Sequence, residues 1–127
     1  MLYLIVFIGA GIGGALRHGA NVGASKMFGY GFPFGTVIVN VVGSFLMGLL
    51  AGYFIYRPGV PQHVRLFLTT GILGGFTTFS TFSLDAALLI ERQAYALAAG
   101  YVIGSLAAGV SALFFGLAVF RSAPHLP

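Results

Sequence analysis

The sequence predicts an all-α integral membrane protein that forms one domain over residues 1–127 and crosses the membrane four times. Only 6% of its 127 residues are charged, 58% are hydrophobic, and the mean hydropathy is +1.00. A soluble domain carries about 25% charged residues, so this composition cannot cover a water-facing surface. A spanning helix needs roughly 20 apolar residues, and four such segments take up nearly the whole chain.

The four spans are expected where the chain runs longest without charge, at about residues 2–25, 34–56, 64–90 and 93–121. The first charge-free run ends at Leu16, and small residues extend the span past Arg17. A secretory signal peptide would need basic residues before its apolar stretch, and no Lys or Arg precedes Leu16. The first segment is therefore predicted to be a membrane helix.

Short connections separate the predicted spans. Residues 27–33 join the first two spans through Gly and Pro, and the next turn contains Pro58, Gly59 and Pro61, so it cannot be helical throughout. Within the spans, small residues four positions apart let helices approach closely in lipid, and we expect tight packing at four glycine pairs. These pairs are Gly9/Gly13, Gly48/Gly52, Gly71/Gly75 and Gly100/Gly104.

The charges indicate a lipid environment and no nucleic-acid partner. A net charge of +4 would suggest nucleic acid in a soluble protein, but these cations flank apolar runs, where they reach lipid headgroups. If the spans alternate, three cations lie on one side (Arg57, Arg65, Arg121) and two on the other (Lys26, Arg92). The orientation of a membrane protein follows the difference in Lys and Arg between its two sides, and here that difference is almost nil. We expect insertion both ways and pairing with an inverted copy; one orientation set by other features is the alternative.

The third span contains a polar stretch that predicts a local break in its helix. Gly74 and Gly75 are followed by Thr77 and Thr78, which lowers helix propensity over residues 74–78. Broken membrane helices expose carbonyls and N–H groups, the usual construction of an ion site. Hydroxyls that only bond back to carbonyls one turn earlier are the alternative. Five hydroxyls within ten residues favour the ion site.

Most polar side chains in the spans donate hydrogen bonds, which favours an anion as the permeant species. Asn40 is the only amide in the second span, and a membrane-buried amide needs a partner. Aromatic ring edges carry positive charge, so Phe79 and Phe82, interleaved with hydroxyls, could solvate a small anion; a packing stripe is the alternative. The candidate pathway residues are Asn40, Phe79, Ser80, Thr81, Phe82, Ser83, Tyr101 and Ser105.

The other charged residues in or near the spans separate the possible functions. Arg17 lies in the first span, where a cation suggests function by default; a side chain that reaches the headgroups is the alternative. The only acids, Asp85 and Glu91, are placed at the end of the third span, so no carboxylate is expected deep in the membrane. A cation pathway, a proton relay or a small dual-topology multidrug transporter would need one. A structural subunit without transport leaves the hydroxyl cluster unexplained.

At these residues the sequence resembles the CrcB/Fluc family of bacterial fluoride channels over essentially the whole chain. The resemblance is carried by the run GGFTTFSTFS at residues 74–83, by Gly35 and Thr36 followed by Asn40, and by Arg17. It implies a multi-pass protein of the bacterial inner membrane, assembled as an antiparallel dual-topology homodimer with two fluoride pores. It also implies a channel and not an enzyme.

The resemblance further implies how fluoride would cross the membrane. Phe79 and Phe82 would form an aromatic box that Asn40 orients. Donors along the path would come from Thr81, Tyr101 and Ser105. HF crosses membranes as a neutral acid and dissociates in a neutral cytoplasm, while an inside-negative potential drives an anion outward by about 2.3 kcal/mol per 100 mV. A passive pore is therefore sufficient to export fluoride.

A structural cation and a charged vestibule are also implied by the resemblance. The carbonyls of Gly74 and Thr77 from both chains would hold Na⁺ on the two-fold axis, and Arg17 would raise the positive potential near a vestibule. Two positions depart from the family pattern. His18 stands where an aromatic residue often follows the arginine, and Gly109 stands where a third hydroxyl often continues the polar face of the fourth span. The second departure leaves the length of the polar track open.

Overall fold

A computed structural model describes residues 1–121 as helices joined by short links. Two long helices come first, a segmented third span follows, and another long helix completes the described chain. The segmented span contains a seven-residue π-helical segment between α-helices. In chain order the elements are α1 (Leu2–Phe28), α2 (Phe34–Tyr56), α3 (Gln62–Leu66), the π-helical segment (Phe67–Leu73), α4 (Gly74–Phe76), α5 (Phe79–Glu91) and α6 (Tyr95–Arg121).

The described residues include four helices that are long and apolar enough to cross a membrane, which confirms the predicted number. α2 has the predicted bounds, while α1 extends three residues beyond the predicted end, from residue 25 to Phe28. The third span begins at Gln62, slightly earlier than expected. α6 begins at Tyr95 and not at residue 93, because Gln93 has a φ of 61° and belongs to the turn that precedes the helix.

The third span is broken at Thr77 and Thr78, so the break is narrower than the predicted 74–78. Thr77 has a ψ of 158° and Thr78 a ψ of 123°, both extended, whereas Gly74 belongs to α4. The chain returns to helix at once because Thr78 caps α5. Its Oγ1 accepts a hydrogen bond from the backbone N–H of Thr81 at 3.2 Å, which satisfies one of the free N–H groups of the first helical turn.

Glycines let α1 lie directly against the backbone of the third span. A Cβ at Gly9 would be 2.8 Å from the Phe67 carbonyl oxygen and 2.9 Å from the Gly71 Cα, and a Cβ at Gly75 would overlap the Ala10 carbonyl. The predicted packing at the Gly9 and Gly71 pairs is therefore confirmed. The contact falls on the π-helical segment and α4, so α1 supports the third span immediately before its break.

A second close contact joins α2 to α6. A Cβ at Gly48 would overlap the Leu113 carbonyl, and a Cβ at Gly116 would overlap the α2 backbone. Gly48 lies against Leu113, and Gly52 lies against Leu117 one turn later. The second and fourth spans therefore run parallel, as expected when one span lies between them in the sequence. By contrast, no heavy atom outside the local helix lies within 4 Å of a Cβ at Gly100 or Gly104 among the described residues. That pair does not pack inside the chain.

One cluster of buried apolar residues lies where α5 meets α6. Leu89, Ala98 and Tyr101 are its members, with exposed fractions of 3%, 5% and 1%, and Phe32 and Phe82 pack against them. Many apolar side chains elsewhere on the helices are exposed. In a soluble protein such a surface would be unstable, but lipid covers it in a membrane-spanning bundle.

Candidate functional site

Asn40 of α2 holds the break of the third span. Its Nδ2 donates to the Thr78 carbonyl at 3.0 Å, and the Thr78 N–H donates to Asn40 Oδ1 at 2.8 Å. The side-chain amide thus satisfies backbone groups that hydrocarbon would leave unpaired. An amide carries two N–H donors, and one of them is used by Thr78. One N–H of Asn40 therefore remains for another acceptor.

The break frees two carbonyls from their helical hydrogen bonds. In a continuous α-helix the Gly74 carbonyl would accept from the Thr78 N–H, and the Thr77 carbonyl would accept from residue 81. Here the Thr78 N–H donates to Asn40. The Thr81 N–H donates to Thr78 Oγ1. The carbonyls of Gly74 and Thr77 have thus lost their α-helical donors to side chains.

Phe79 and Phe82 lie in the first turn of α5, directly after the break. Their ring centroids are 5.9 Å apart, and the centroid of Phe82 is 5.1 Å from that of Tyr101. Phe82 is half-buried, whereas Phe79 is 77% exposed. The two rings are neighbours as predicted, but this chain encloses only one of them.

A groove of about 360 Å³ runs along α2, α6 and the break. It brings together four of the predicted pathway residues, namely Asn40, Phe79, Phe82 and Ser105. The Ser105 Oγ is buried and has no hydrogen-bond partner among residues 1–121. None of the described residues that line the groove is charged. The groove therefore offers an ion hydrogen-bond donors and ring edges without a competing carboxylate.

The remaining predicted residues lie outside this groove. Ser80 and Ser83 are exposed on α5, and Thr81 lines a second, larger cavity instead. Arg17 is half-buried on α1 and lines neither cavity, although its neighbour His18 lines the larger one. A single chain does not connect these residues to the groove.

Asp85 is half-buried on α5 and faces α2 and α6, whereas the sequence predicts it at the end of the third span. Its Oδ2 accepts hydrogen bonds from Thr36 Oγ1 at 2.7 Å and from the Tyr101 hydroxyl at 3.0 Å. Asp85 is not at the end of the span because α5 continues to Glu91. The signal in the sequence was its spacing of three residues from Phe82, which puts both on one helix face. The Tyr101 hydroxyl, predicted as a pathway donor, is engaged by this carboxylate.

The larger cavity, of about 760 Å³, lies between α1, α5 and the link from α1 to α2. Polar residues that line it include His18, Asn21, Thr81 and Asp85. At its edge, Arg92 Nη2 donates to the Gly31 carbonyl at 3.0 Å and ties the two connecting links together. The cavity opens toward one end of the bundle and combines apolar walls with the carboxylate that joins α2, α5 and α6.

Comparison with known proteins identifies the family of this chain. Residues 4–117 match the family described as CrcB-like protein, Camphor Resistance (CrcB). A fluoride-specific ion channel FluC of Methylobacterium nodulans is 63% identical over 118 residues, which cover 93% of this chain and 94% of the relative. The protein of the same name from Rhodopseudomonas palustris strain BisB5 is 57% identical over 122 residues, covering 96% and 98%. One from Granulibacter bethesdensis is 53% identical over 122 residues, covering 96% of each chain. Since these matches span nearly the whole sequence, the chain belongs to the CrcB-like family.

Proposed function

We propose that this chain is a passive, fluoride-selective ion channel. The observation that carries the proposal is the groove at the break, where the Asn40 amide, the Phe82 ring and the Ser105 hydroxyl converge; within residues 1–121 that hydroxyl has no partner and the groove has no charged lining residue. The relatives in Methylobacterium nodulans and Rhodopseudomonas palustris are named as fluoride-specific ion channels. The chain is not an enzyme, because its family consists of channels.

Fluoride needs several donors at once, because it gives up tightly held water on entering the groove. In this proposal the ring edges of Phe79 and Phe82, the remaining N–H of Asn40 and the hydroxyl of Ser105 replace that water. Tyr101 contributes indirectly, since its hydroxyl holds Asp85. Thr81 acts at the larger cavity, which serves as the vestibule where fluoride enters or leaves.

The pore is completed by a second, inverted copy of the chain. Support comes from the exposure of Phe79, which is 77% uncovered beside a polar break, and from Ser80 and Ser83, which are exposed on the same helix. An antiparallel homodimer would cover this face and bring both serines and the Arg17 of each chain to the two pores. Its two-fold axis would lie in the membrane plane.

A structural Na⁺ on that axis is part of the proposal. The fit rests on the Gly74 and Thr77 carbonyls, whose α-helical donors are bonded to side chains instead. Carbonyl oxygens without donors in lipid are costly, and a bound cation would satisfy them. Bound Na⁺ would supply positive charge and hold the two breaks together. Oxygen ligands suit a hard cation.

The direction of transport follows from the chemistry of HF. The neutral acid diffuses into the cell and dissociates there, which traps fluoride inside. An inside-negative potential drives an anion outward by about 2.3 kcal/mol per 100 mV. A pore in the bacterial inner membrane therefore exports fluoride without a coupling ion.

Efflux from liposomes tests the proposal. Vesicles that contain the purified protein and potassium fluoride, with valinomycin to carry K⁺, should release fluoride when diluted into low-fluoride buffer. Chloride-loaded vesicles should release almost nothing on the same timescale. Folded protein that releases no fluoride, or that releases chloride equally fast, would refute the proposal.

A further inference from the structure

The hydroxyl side chains on one face of α6 stop at Ser105, whereas the groove continues to Leu113. Tyr101, Ser105 and Gly109 are four residues apart and share one face of α6. Gly109 has no side chain, and Leu113, the next residue on this face, is an apolar residue that also lines the groove. From Ser105 to Leu113 the helix rises about 12 Å. Over that distance this face of α6 offers an anion no side-chain donor.

α2 brings a hydroxyl to this gap. Ser44 follows Asn40 by one turn on the same helix face, and both residues line the groove. A Cβ built at Gly109 would have Ser44 Oγ at 3.6 Å, and among the described residues no other heavy atom from outside its own helix turn lies within 4 Å of it. The Ser44 hydroxyl therefore lies at the level where an α6 hydroxyl is missing.

We propose that the Ser44 hydroxyl is a further fluoride-contacting donor, which replaces the hydroxyl that α6 lacks at Gly109. The inference rests on the proposed fluoride pathway and extends it along the groove. With Ser44 included, donors come in turn from Asn40, Ser105 and Ser44. The longest distance along α6 without a donor falls to about 6 Å, one helical turn. A fluoride ion can then keep a hydrogen bond to at least one side chain along the whole groove.

Close packing of α2 against α6 also requires a small residue at position 44, so the test must separate packing from donation. Alanine packs as well as serine in such a contact but cannot donate. Position 109 provides the complementary change, because the 3.6 Å spacing is ordinary van der Waals contact and leaves room for a small side chain.

The experiment compares four proteins in the fluoride efflux assay: wild type, Ser44→Ala, and Ser44→Ala combined with Gly109→Ser or with Gly109→Ala. Ser44→Ala should lower the fluoride efflux rate at least tenfold. Adding Gly109→Ser should restore the rate to within about threefold of wild type, since it returns a hydroxyl to the same level of the groove. Gly109→Ala adds the same Cβ without the hydroxyl and should not restore it. Size-exclusion chromatography checks that each variant assembles like the wild type.

Each outcome decides the inference. Efflux by Ser44→Ala at the wild-type rate, or equal efflux by the two double variants whether restored or not, would overturn the donor role while leaving the proposed channel intact. Wild-type protein without fluoride efflux would overturn both. If Ser44→Ala does not assemble, Ser44→Cys replaces it in the same comparison, because a thiol keeps the volume and donates only weakly.

Discussion

Replacing Asn40 by alanine should both destabilise the protein and stop fluoride transport, because one side chain supports the break and lines the groove. The substitution removes two hydrogen bonds, of 3.0 Å and 2.8 Å, between Asn40 and the backbone of Thr78. Nothing in the local helix replaces them while Thr78 stays extended.

The size of the effect follows from what Thr78 loses. Its N–H becomes unsatisfied, at a cost of about 1–3 kcal/mol, and its carbonyl loses one net hydrogen bond of about 0.5–1.5 kcal/mol. The expected loss of unfolding free energy is therefore about 1.5–4.5 kcal/mol, a factor of roughly 10 to 2000 in the folding equilibrium. If the Thr78 N–H returns to the Gly74 carbonyl instead, stability recovers in part, but the break closes and transport is lost.

Unfolding in mixed micelles with increasing sodium dodecyl sulfate, followed by the fluorescence of the 6 tyrosines, measures the first effect at fixed protein concentration. Liposome efflux measures the second. Ser111→Ala is the matched control, since it removes a polar group from an exposed position on α6 and should change neither quantity. An Asn40→Ala protein with wild-type efflux and unfolding free energy would show that the amide does not hold the break. Asn40→Asp should also suppress efflux, because a carboxylate replaces the donor and repels the anion.

Four further perturbations test other parts of the structure. Phe79→Ile or Phe82→Ile should suppress fluoride efflux in a protein that still assembles, because an aliphatic side chain has no positive ring edge; wild-type efflux in both would exclude the aromatic box. Gly48→Ala should cost about 1–3 kcal/mol of unfolding free energy, since its Cβ would overlap the α6 backbone; an unchanged denaturation midpoint would contradict this close contact. Thr77→Ser should preserve the central Na⁺, because the proposed ligands are backbone carbonyls. An experimental structure of the wild type or of Thr77→Ser without cation density there would refute the proposed Na⁺ site. Lysines added after Arg121 should bias insertion toward one orientation, because each lysine near an anionic leaflet contributes about 1 kcal/mol to that orientation. Fewer antiparallel dimers would form, so fluoride resistance in cells should fall. Co-expression with a copy that carries lysines between α1 and α2 should restore resistance; full resistance from a copy that labelling shows in one orientation would rule out the antiparallel dimer.

The sequence by itself determined the four membrane spans, because hydropathy and the absence of charge are local properties that need no knowledge of contacts. α2 therefore has its predicted bounds, and the other spans deviate by a few residues. It also determined that the third span is interrupted and that its polar groups are mostly donors. The exact break at Thr77 and Thr78 was not predictable, because Gly74 and Gly75 have low helix propensity yet stay helical, and only Gly75 lies against α1.

Only the tertiary structure decided which polar groups meet. Asn40 and Thr78 are 38 residues apart, and Thr36 and Asp85 are 49 apart, so no local periodicity relates them. The sequence predicts Asp85 at the end of a span, but packing of α5 against α6 directs its carboxylate toward two buried hydroxyls, those of Thr36 and Tyr101. In the same way, α6 has no hydroxyl at Gly109, and the packing of α2 places the Ser44 hydroxyl beside that position. Hydropathy places a helix in the membrane, but only helix packing selects the partner for each donor, because a hydrogen bond requires two groups within about 3 Å of each other.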